Sequence, residues 1–336
     1  MLIDNNFYMK LALNEAWKYQ GLTYPNPAVG CTVIGKYNEI LAVEAHQKAG
    51  EPHAEVLALK SAYYKLTQDK YILNLTSSLD IHIYLKKNHN NIFINVSVYT
   101  TLEPCSHEGK TPSCATLISE LGVKKVYVGL CDSNEEASGG NTQLRDASIL
   151  VQTDILKKEC NDLLHPFESW QKKSFVFFKW AQRLNGTIDE GAISSLDTRK
   201  LTHSVRDVCD LLVVGGNTVR LDRPTLDARD INGNAPDILI YSREKEFDET
   251  IPLFNVKGRK VIISDSLSKI DNYKNIMIEG GSNMYELTRK ITNYYLCYLS
   301  PKFGGVNGFD AVEDKFNILN IQKEEQDIIM WIKRDI

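Results

Sequence analysis

Four residues carry chemistry in their types and spacing. His53 and Glu55 stand in "EPHAEVLAL", and Cys105 and Cys114 in "TLEPCSHEGKTPSCATLI". One nitrogen and two sulfurs form a donor set that zinc accepts, with a fourth position left for water. Zinc lowers the pKa of that water, and a carboxylate beside a ligand can carry its protons. Glu55 fits that role without having to be a ligand. Two other readings stay open at this point: a closed structural site with His107 as fourth ligand, or residues that never meet.

The elements around these residues decide whether they converge. Pro52 suits a first helical turn, where its missing N–H would be unpaired anyway. That places His53 and Glu55 in the same turn. Residues two apart do not share a helix face, but at a helix end both reach a ligand lying beyond the terminus. Cys114 opens a helix that Gly122 stops, and a helix N-terminus favours the thiolate form. "FYMKLALNEAWKYQG" reads as a first helix, and "CTVIG" and "EILAVEAH" as strands around the turn "KYNE". "NIFINVSVYTTLEP" and "VKKVYVGL" continue as strands, which predicts an α/β layer with a largely parallel sheet. Residues 63–91, rich in Tyr, Lys and Asn, read as an insertion with weak local structure.

A helix near residues 152–164 leads into "HPFESWQKKS". The expected organisation is a catalytic domain over 1–150, a connecting helix and linker over 151–173, and a second domain over 174–336. The second half is again α/β but shares no pattern with the first. Its strands are "FVFFKWAQ", "DLLVVGG", "DILIYS", "RKVIIS", "NIMIEGG" and "YYLCYLSPKFGG". No internal repeat is visible.

The bulk numbers narrow the class. The chain has 336 residues, 43% hydrophobic and 24% charged, with a formal net charge of -4. That gives no overall basic field for nucleic acid, and no apolar run reaches the roughly 18 residues of a membrane span. No secretory signal is visible, so a cytoplasmic location with reduced cysteines is expected. Of the seven cysteines, Cys31, Cys131, Cys160, Cys209 and Cys297 read as small core residues. The oligomeric state stays open, a homo-oligomer included.

A His-x-Glu followed by Pro-Cys and a second cysteine is the pattern of zinc deaminases acting on nucleobases. There, activated water attacks a ring carbon bearing an amino group. Nucleic-acid deaminases place two residues between the cysteines; this chain has eight. Among them His107, Lys110 and Thr111 could grip a phosphate on a small substrate, or Lys110 could be a solvated loop charge.

Four stretches, "TYPNPAVGC", "HQKAGEPHAEVLAL", "TLEPCSHEGKTPSC" and "VKKVYVGLCDSN", resemble the bifunctional riboflavin-biosynthesis deaminase–reductase family. The resemblance implies a cytidine-deaminase-like three-layer fold for the first domain. It also implies a diaminopyrimidinone substrate carrying a ribosylamino 5′-phosphate. Position by position, His53, Cys105 and Cys114 resemble the zinc ligands and Glu55 the proton carrier. Asn26 and His46 resemble base-binding residues, and His107, Lys110 and Thr111 the substrate and phosphate contacts. Residues 63–91 depart from the family's usual length.

The second half says less by itself. "VVGGNT" and "IEGGSN" bring backbone N–H groups to a loop after a strand, as phosphate sites do, but neither is G-x-G-x-x-G. Double glycines are also ordinary tight turns. "RDVCDLLVVGGNTVRLDRPTLDAR", "IEGGSN" and "LSPKFGG" resemble the same family's reductase domain. That implies a dihydrofolate-reductase-like α/β fold using NADPH to reduce the ribosyl group to ribityl. On that resemblance Arg206, Leu226, Arg229 and Glu279 are substrate contacts, and Ala181, Thr218, Asp222, Gly281 and Ser282 cofactor contacts. Two motifs depart from the family. Ser-Leu-Asp-Gly is replaced by "RLNG" at Arg183–Gly186, and Trp-Ile-Thr by "AIS" at Ala192–Ser194. The expected function is therefore zinc-dependent deamination followed by NADPH reduction. The rivals are a deaminase with a degenerate, structural reductase half, and a nucleic-acid deaminase.

Overall fold

The computed structural model describes residues 3–107, 111–133, 138–189, 191–309 and 313–335. The chain divides into two compact units, Met1–Glu168 and Ser169–Ile336.

In the first unit the elements run α1 (Asn5–Trp17), β1 (Gly30–Ile34), β2 (Ile40–Ala45), α2 (Ala54–Thr67) and α3 (Ser78–Asn88). They continue with β3 (Ser97–Leu102), α4 (Cys114–Glu120), β4 (Lys125–Leu130), α5 (Gly140–Asp146) and β5 (Leu150–Gln152). Asp4 caps α1 by accepting from the Phe7 N–H. Met9, Ala12, Leu13 and Ala16 then recur at helical spacing and are buried. The sheet order is β2-β1-β3-β4-β5. It is mixed rather than largely parallel, since β1 runs antiparallel to both β2 and β3. The short turn after β1 permits nothing else, because a parallel return needs a long crossover. Strands β3, β4 and β5 are parallel, so the Cys105 loop leaves the carboxyl end of β3.

Residues 63–91 are ordered, contrary to expectation. α2 continues to Thr67, a short 3₁₀ turn covers Lys70–Asn74, and α3 follows. Asp69 caps the turn and Ser77 caps α3. Ile72, Ile81 and Leu85 drive the packing: all three are fully buried in the first unit's core. The polar composition belongs to the outer face, where Leu79 and Ile83 are also exposed.

α6 (Lys157–Lys172) starts later and runs farther than expected, carrying Pro166 within it. Cys160, Leu163, Leu164 and Trp170 are buried at helical spacing along it, a pattern that outlasts the proline. The second unit holds β6 (Phe175–Arg183), α7 (Leu196–Val208), β7 (Leu211–Gly215), α8 (Gly216–Asp222), β8 (Asp237–Tyr241) and β9 (Val261–Ser264). It ends with β10 (Asn275–Glu279), α9 (Ser282–Thr288), β11 (Tyr294–Ser300), β12 (Phe316–Glu324) and β13 (Asp327–Arg334). The sheet order is β12-β13-β11-β6-β10-β7-β8-β9. From β11 to β9 all neighbours are parallel. The antiparallel pair β12–β13 had no strand assignment from sequence. β12 is an edge strand with Ile318 and Ile321 exposed, so it lacks a buried apolar run.

All seven cysteines are free thiols. Cys31, Cys160, Cys209 and Cys297 are buried as expected, but Cys131 is exposed, on the loop that follows β4. No helix among the described residues is long and apolar enough to cross a membrane.

Candidate active site

His53 is the N-cap of α2, in extended conformation, and makes no side-chain capping bond. Pro52 therefore precedes the helix instead of opening it. The difference matters, because a cap residue's side chain is released from the helix surface and turns outward. His53 Nδ1 lies 3.7 Å from the Cys105 sulfur and 3.4 Å from the Cys114 sulfur. The three ligand atoms all lie within 4.8 Å of one another. Zinc bonds of about 2.0–2.1 Å to nitrogen and 2.3 Å to sulfur, opened to a tetrahedral angle, place N and S roughly 3.6 Å apart. The side chains are thus set for a tetrahedral ion.

Local hydrogen bonds build this arrangement. Ser113 caps α4, and its hydroxyl also donates to the Cys105 carbonyl at 2.9 Å. The Ala115 N–H donates to the same carbonyl, and the Cys114 N–H points at the Cys105 sulfur at 3.4 Å. The Cys114 thiol, together with His53, holds the Cys105 thiol down to about 4, so its charged form is favoured. Cys114 is pushed up by that neighbour and by its own burial. Without a metal one thiol stays protonated beside one thiolate; for both sulfurs to ionise a cation would have to stand between them, which a divalent metal would supply. On the far side of the imidazole, His53 Nε2 and the Thr111 hydroxyl lie 3.4 Å apart. With Nδ1 given to a metal, Nε2 carries the proton and donates to Thr111.

Glu55 lies in the first turn of α2 and is 4% exposed. Burial raises its carboxyl above the ordinary range, against the charge of His53. The Thr100 hydroxyl donates to the Leu102 carbonyl at 2.9 Å and lies 3.4 Å from Glu55 Oε1. Asn26 Nδ2 and His46 Nε2 are 3.1 Å apart, and the His46 ring meets that of His53 edge-on, with centroids 5.5 Å apart. Burial drives the His46 pKa down to about 4, so it is a neutral imidazole. His107 is exposed, and Lys110 lies outside the described residues.

In the second unit Arg206 of α7 and Glu279 at the end of β10 form a two-point ion pair, at 3.0 and 2.9 Å. Burial pushes the Glu279 carboxyl up, but Arg206 and Lys179 outweigh it and hold it low. Arg229 turns to Asp227 instead, at 2.8 Å. Leu226 is buried in the left-handed region, at φ 54°. Arg259 donates to its carbonyl and to that of Thr225, holding this segment. Thr218 and Ala181 are partly exposed and Asp222 is exposed.

One group missed from sequence is Lys179. It is the single lysine within "FVFFKWAQ", in register with Glu279 across β6 and β10. Its ammonium lies 5.0 Å from the Tyr298 ring centroid, and burial lowers its pKa. A charge set in an aromatic strand was the available clue.

The glycine loop after β10 suits a dinucleotide in kind, with backbone N–H groups, Gly281 and the Ser282 hydroxyl. Its edge is covered, however. A side-chain carbon at Gly281 would stand 2.9 Å from Ile188 Cδ1, and Ser282 donates to the Gly308 carbonyl. Arg183, where the resemblance expects serine, donates to the Asp189 carbonyl at 2.6 Å. Asp189 accepts from the Val306 and Asn307 N–H groups. These bonds fix Ile188 on the loop.

The protein family described as "Cytidine and deoxycytidylate deaminase zinc-binding region" matches residues 3–130, the stretch that holds all three ligand positions. Across the two units, the chain is 30% identical to the riboflavin biosynthesis protein RibD of Actinobacillus pleuropneumoniae, over 89% of this chain and 84% of that one. The chain belongs to the RibD family. To RibD of Aquifex aeolicus it is 29% identical, over 99% of both chains. A solved structure from Thermotoga maritima, a diaminohydroxyphosphoribosylaminopyrimidine deaminase/5-amino-6-(5-phosphoribosylamino)uracil reductase, is 25% identical. It covers 98% of this chain and 99% of its own at a TM-score of 0.65. RibD proteins join a zinc deaminase to a reductase, and the two units have those folds. The zinc site is His53, Cys105 and Cys114.

Proposed function

We propose that the first unit deaminates a diaminopyrimidinone carrying a ribosylamino 5′-phosphate, and that the second reduces the product's ribosyl group to ribityl with NADPH. The observation that carries this is a buried Glu55, two residues from a metal ligand, with its carboxyl raised by burial. A carboxyl raised above its ordinary range holds a proton more readily and can both accept and return one.

Zinc, when bound, supplies Lewis acidity toward a water molecule. The chain's own groups do the rest. Asn26 and His46 present polar edges to the ring; neutral His46 donates from Nδ1 to the Pro52 carbonyl, which leaves Nε2 as its acceptor, facing the Asn26 amide. Glu55 takes one proton from water and delivers it to the ring nitrogen, then carries the second, from the newly bound hydroxyl, to the departing amino group. A C–O bond forms, the C–N bond breaks, and ammonia leaves. Thr100 stands beside the Glu55 carboxyl and Thr111 beside the far nitrogen of His53. Thr111, His107 and Lys110 are proposed to meet the substrate's phosphate.

In the second unit Arg206, Glu279, Leu226 and Arg229 are proposed to receive the deaminated product. Thr218, Asp222, Ala181 and the Gly281–Ser282 backbone would hold NADPH, which supplies the hydride. NADPH on the Gly281 edge would have to displace Ile188, which stands over it.

The two steps are separable experimentally. The purified chain is expected to release ammonia from the diaminopyrimidinone phosphate without NADPH, and then to oxidise NADPH only once the deaminated product is present. Ammonia release without any NADPH oxidation, in a folded protein, would leave the second unit as a structural partner.

A further inference from the structure

We infer that Glu103 is a positioning residue for the metal site, setting the Cys105 sulfur through a clamp between two loops. The inference rests on the zinc assignment and adds to it a residue that touches neither metal nor substrate.

Cys105 is held on one side by α4, as described. The residues flanking it are held by a different segment, the loop after β4 and the first turn of α5. Glu103 is 7% exposed, and its carboxylate spends both oxygens on that loop. Oε1 accepts from the Gly139 N–H at 3.1 Å and the Asn141 N–H at 2.9 Å, and Oε2 from the Asp132 N–H at 3.1 Å. Pro104 presses its carbonyl on Gly140, where an added side-chain carbon would lie 1.8 Å from that oxygen. Ser106 donates from its hydroxyl to the Ser138 carbonyl at 2.6 Å. Residues 103, 104 and 106 thus all dock on the end of that loop and the first turn of α5, and Cys105 stands between them with its sulfur turned to His53.

The chemistry of the contact explains why a carboxylate stands there. Three backbone N–H groups converge on it, and two of them, at Gly139 and Asn141, stand at the N-terminus of α5, where backbone donors have no intrahelical partner. Only a carboxylate accepts all of them at once. Supporting residues of this kind fix ligand orientation, and their loss typically costs about 10–100-fold in metal affinity.

The test is zinc affinity of the full chain, by competition with a chromophoric chelator, together with the absorption spectrum of the cobalt(II)-loaded protein. Glu103→Gln keeps the shape but offers one carbonyl oxygen, and sets an NH₂ group against one of the three N–H donors. It is expected to weaken zinc about tenfold and to shift the cobalt bands. Glu103→Ala is expected to lose closer to 100-fold. Gly140→Ala reaches the same clamp from the other side and is expected to shift the same bands. Unchanged zinc affinity and unchanged cobalt bands in Glu103→Gln and Gly140→Ala, with only the melting temperature lowered, would overturn the proposal. Wild-type protein that takes up no cobalt at all would overturn the metal assignment, and this inference with it.

Discussion

His53 Nδ1 lies 3.4 Å from the Cys114 sulfur across 61 residues of sequence. The contact joins the N-cap of one helix to the first residue of another. Each position is fixed locally, one by the extended backbone at His53 and one by the Ser113 cap. A sulfur is required there because a serine hydroxyl does not ionise to match the thiolate. Cys114→Ser should therefore leave the fold intact and reduce bound zinc well below one equivalent per chain, read by metal analysis after gel filtration. One full equivalent retained would argue against Cys114 as a ligand.

The Arg206–Glu279 pair has side chains only 12% and 16% exposed, so removing one partner strands a charge. Arg206→Ala should destabilise the second unit by about 3–5 kcal/mol, whereas Arg206→Met with Glu279→Leu should cost far less. Glu279 has its pKa held below its ordinary value in the folded state. Its contribution is therefore present above about pH 4.3 and lost as pH falls through the lower folded value. Urea titrations of both variants at pH 7 and pH 4 check the order and the sign.

His82 of α3 is 4% exposed, and its Nε2 makes no hydrogen bond among the described residues. Burial lowers its pKa to about 4, so below about pH 6.5 the unfolded chain takes up a proton that the folded chain refuses. Stability present above that pH should fall toward pH 4, by about 1.4 kcal/mol per pH unit for this group. His82→Leu should flatten this slope in chemical denaturation at pH 7, 6 and 5. An unchanged slope would assign the acid sensitivity elsewhere, His46 being the other buried imidazole.

Ile188 covers Gly281 on the loop proposed to hold NADPH. NADPH binding at this edge has to displace those outer carbons, which costs affinity in the wild type, so Ile188→Ala should tighten NADPH on the order of tenfold. Equilibrium fluorescence titration gives the result; an unchanged Kd would mean that NADPH does not use the Gly281 edge.

Much of the deaminase site was legible because its parts are local. A helix start near Pro52 and another at Cys114 can each be read within a few residues, although the cap falls on His53 and Pro52 stands before the helix, and the eight-residue spacer carried the family resemblance. What stayed hidden depended on tertiary packing. α3 shows polar residues outward and buries Ile81 and Leu85, so composition alone masked it. β12 is an edge strand whose apolar residues stay exposed. Lys179 looks unremarkable until the register of β6 and β10 sets it beside Glu279. Glu103 is invisible as a clamp because its three donors lie 29 to 38 residues away.

The central claim is that Glu55 moves protons at a zinc deaminase centre. The most direct measurement is ammonia released from the diaminopyrimidinone phosphate by wild type and Glu55→Gln, each with its zinc content determined on the same sample. The account predicts equal zinc in both and a loss of about 10²–10⁴-fold in ammonia release for Glu55→Gln. Equal zinc with undiminished ammonia release would contradict it.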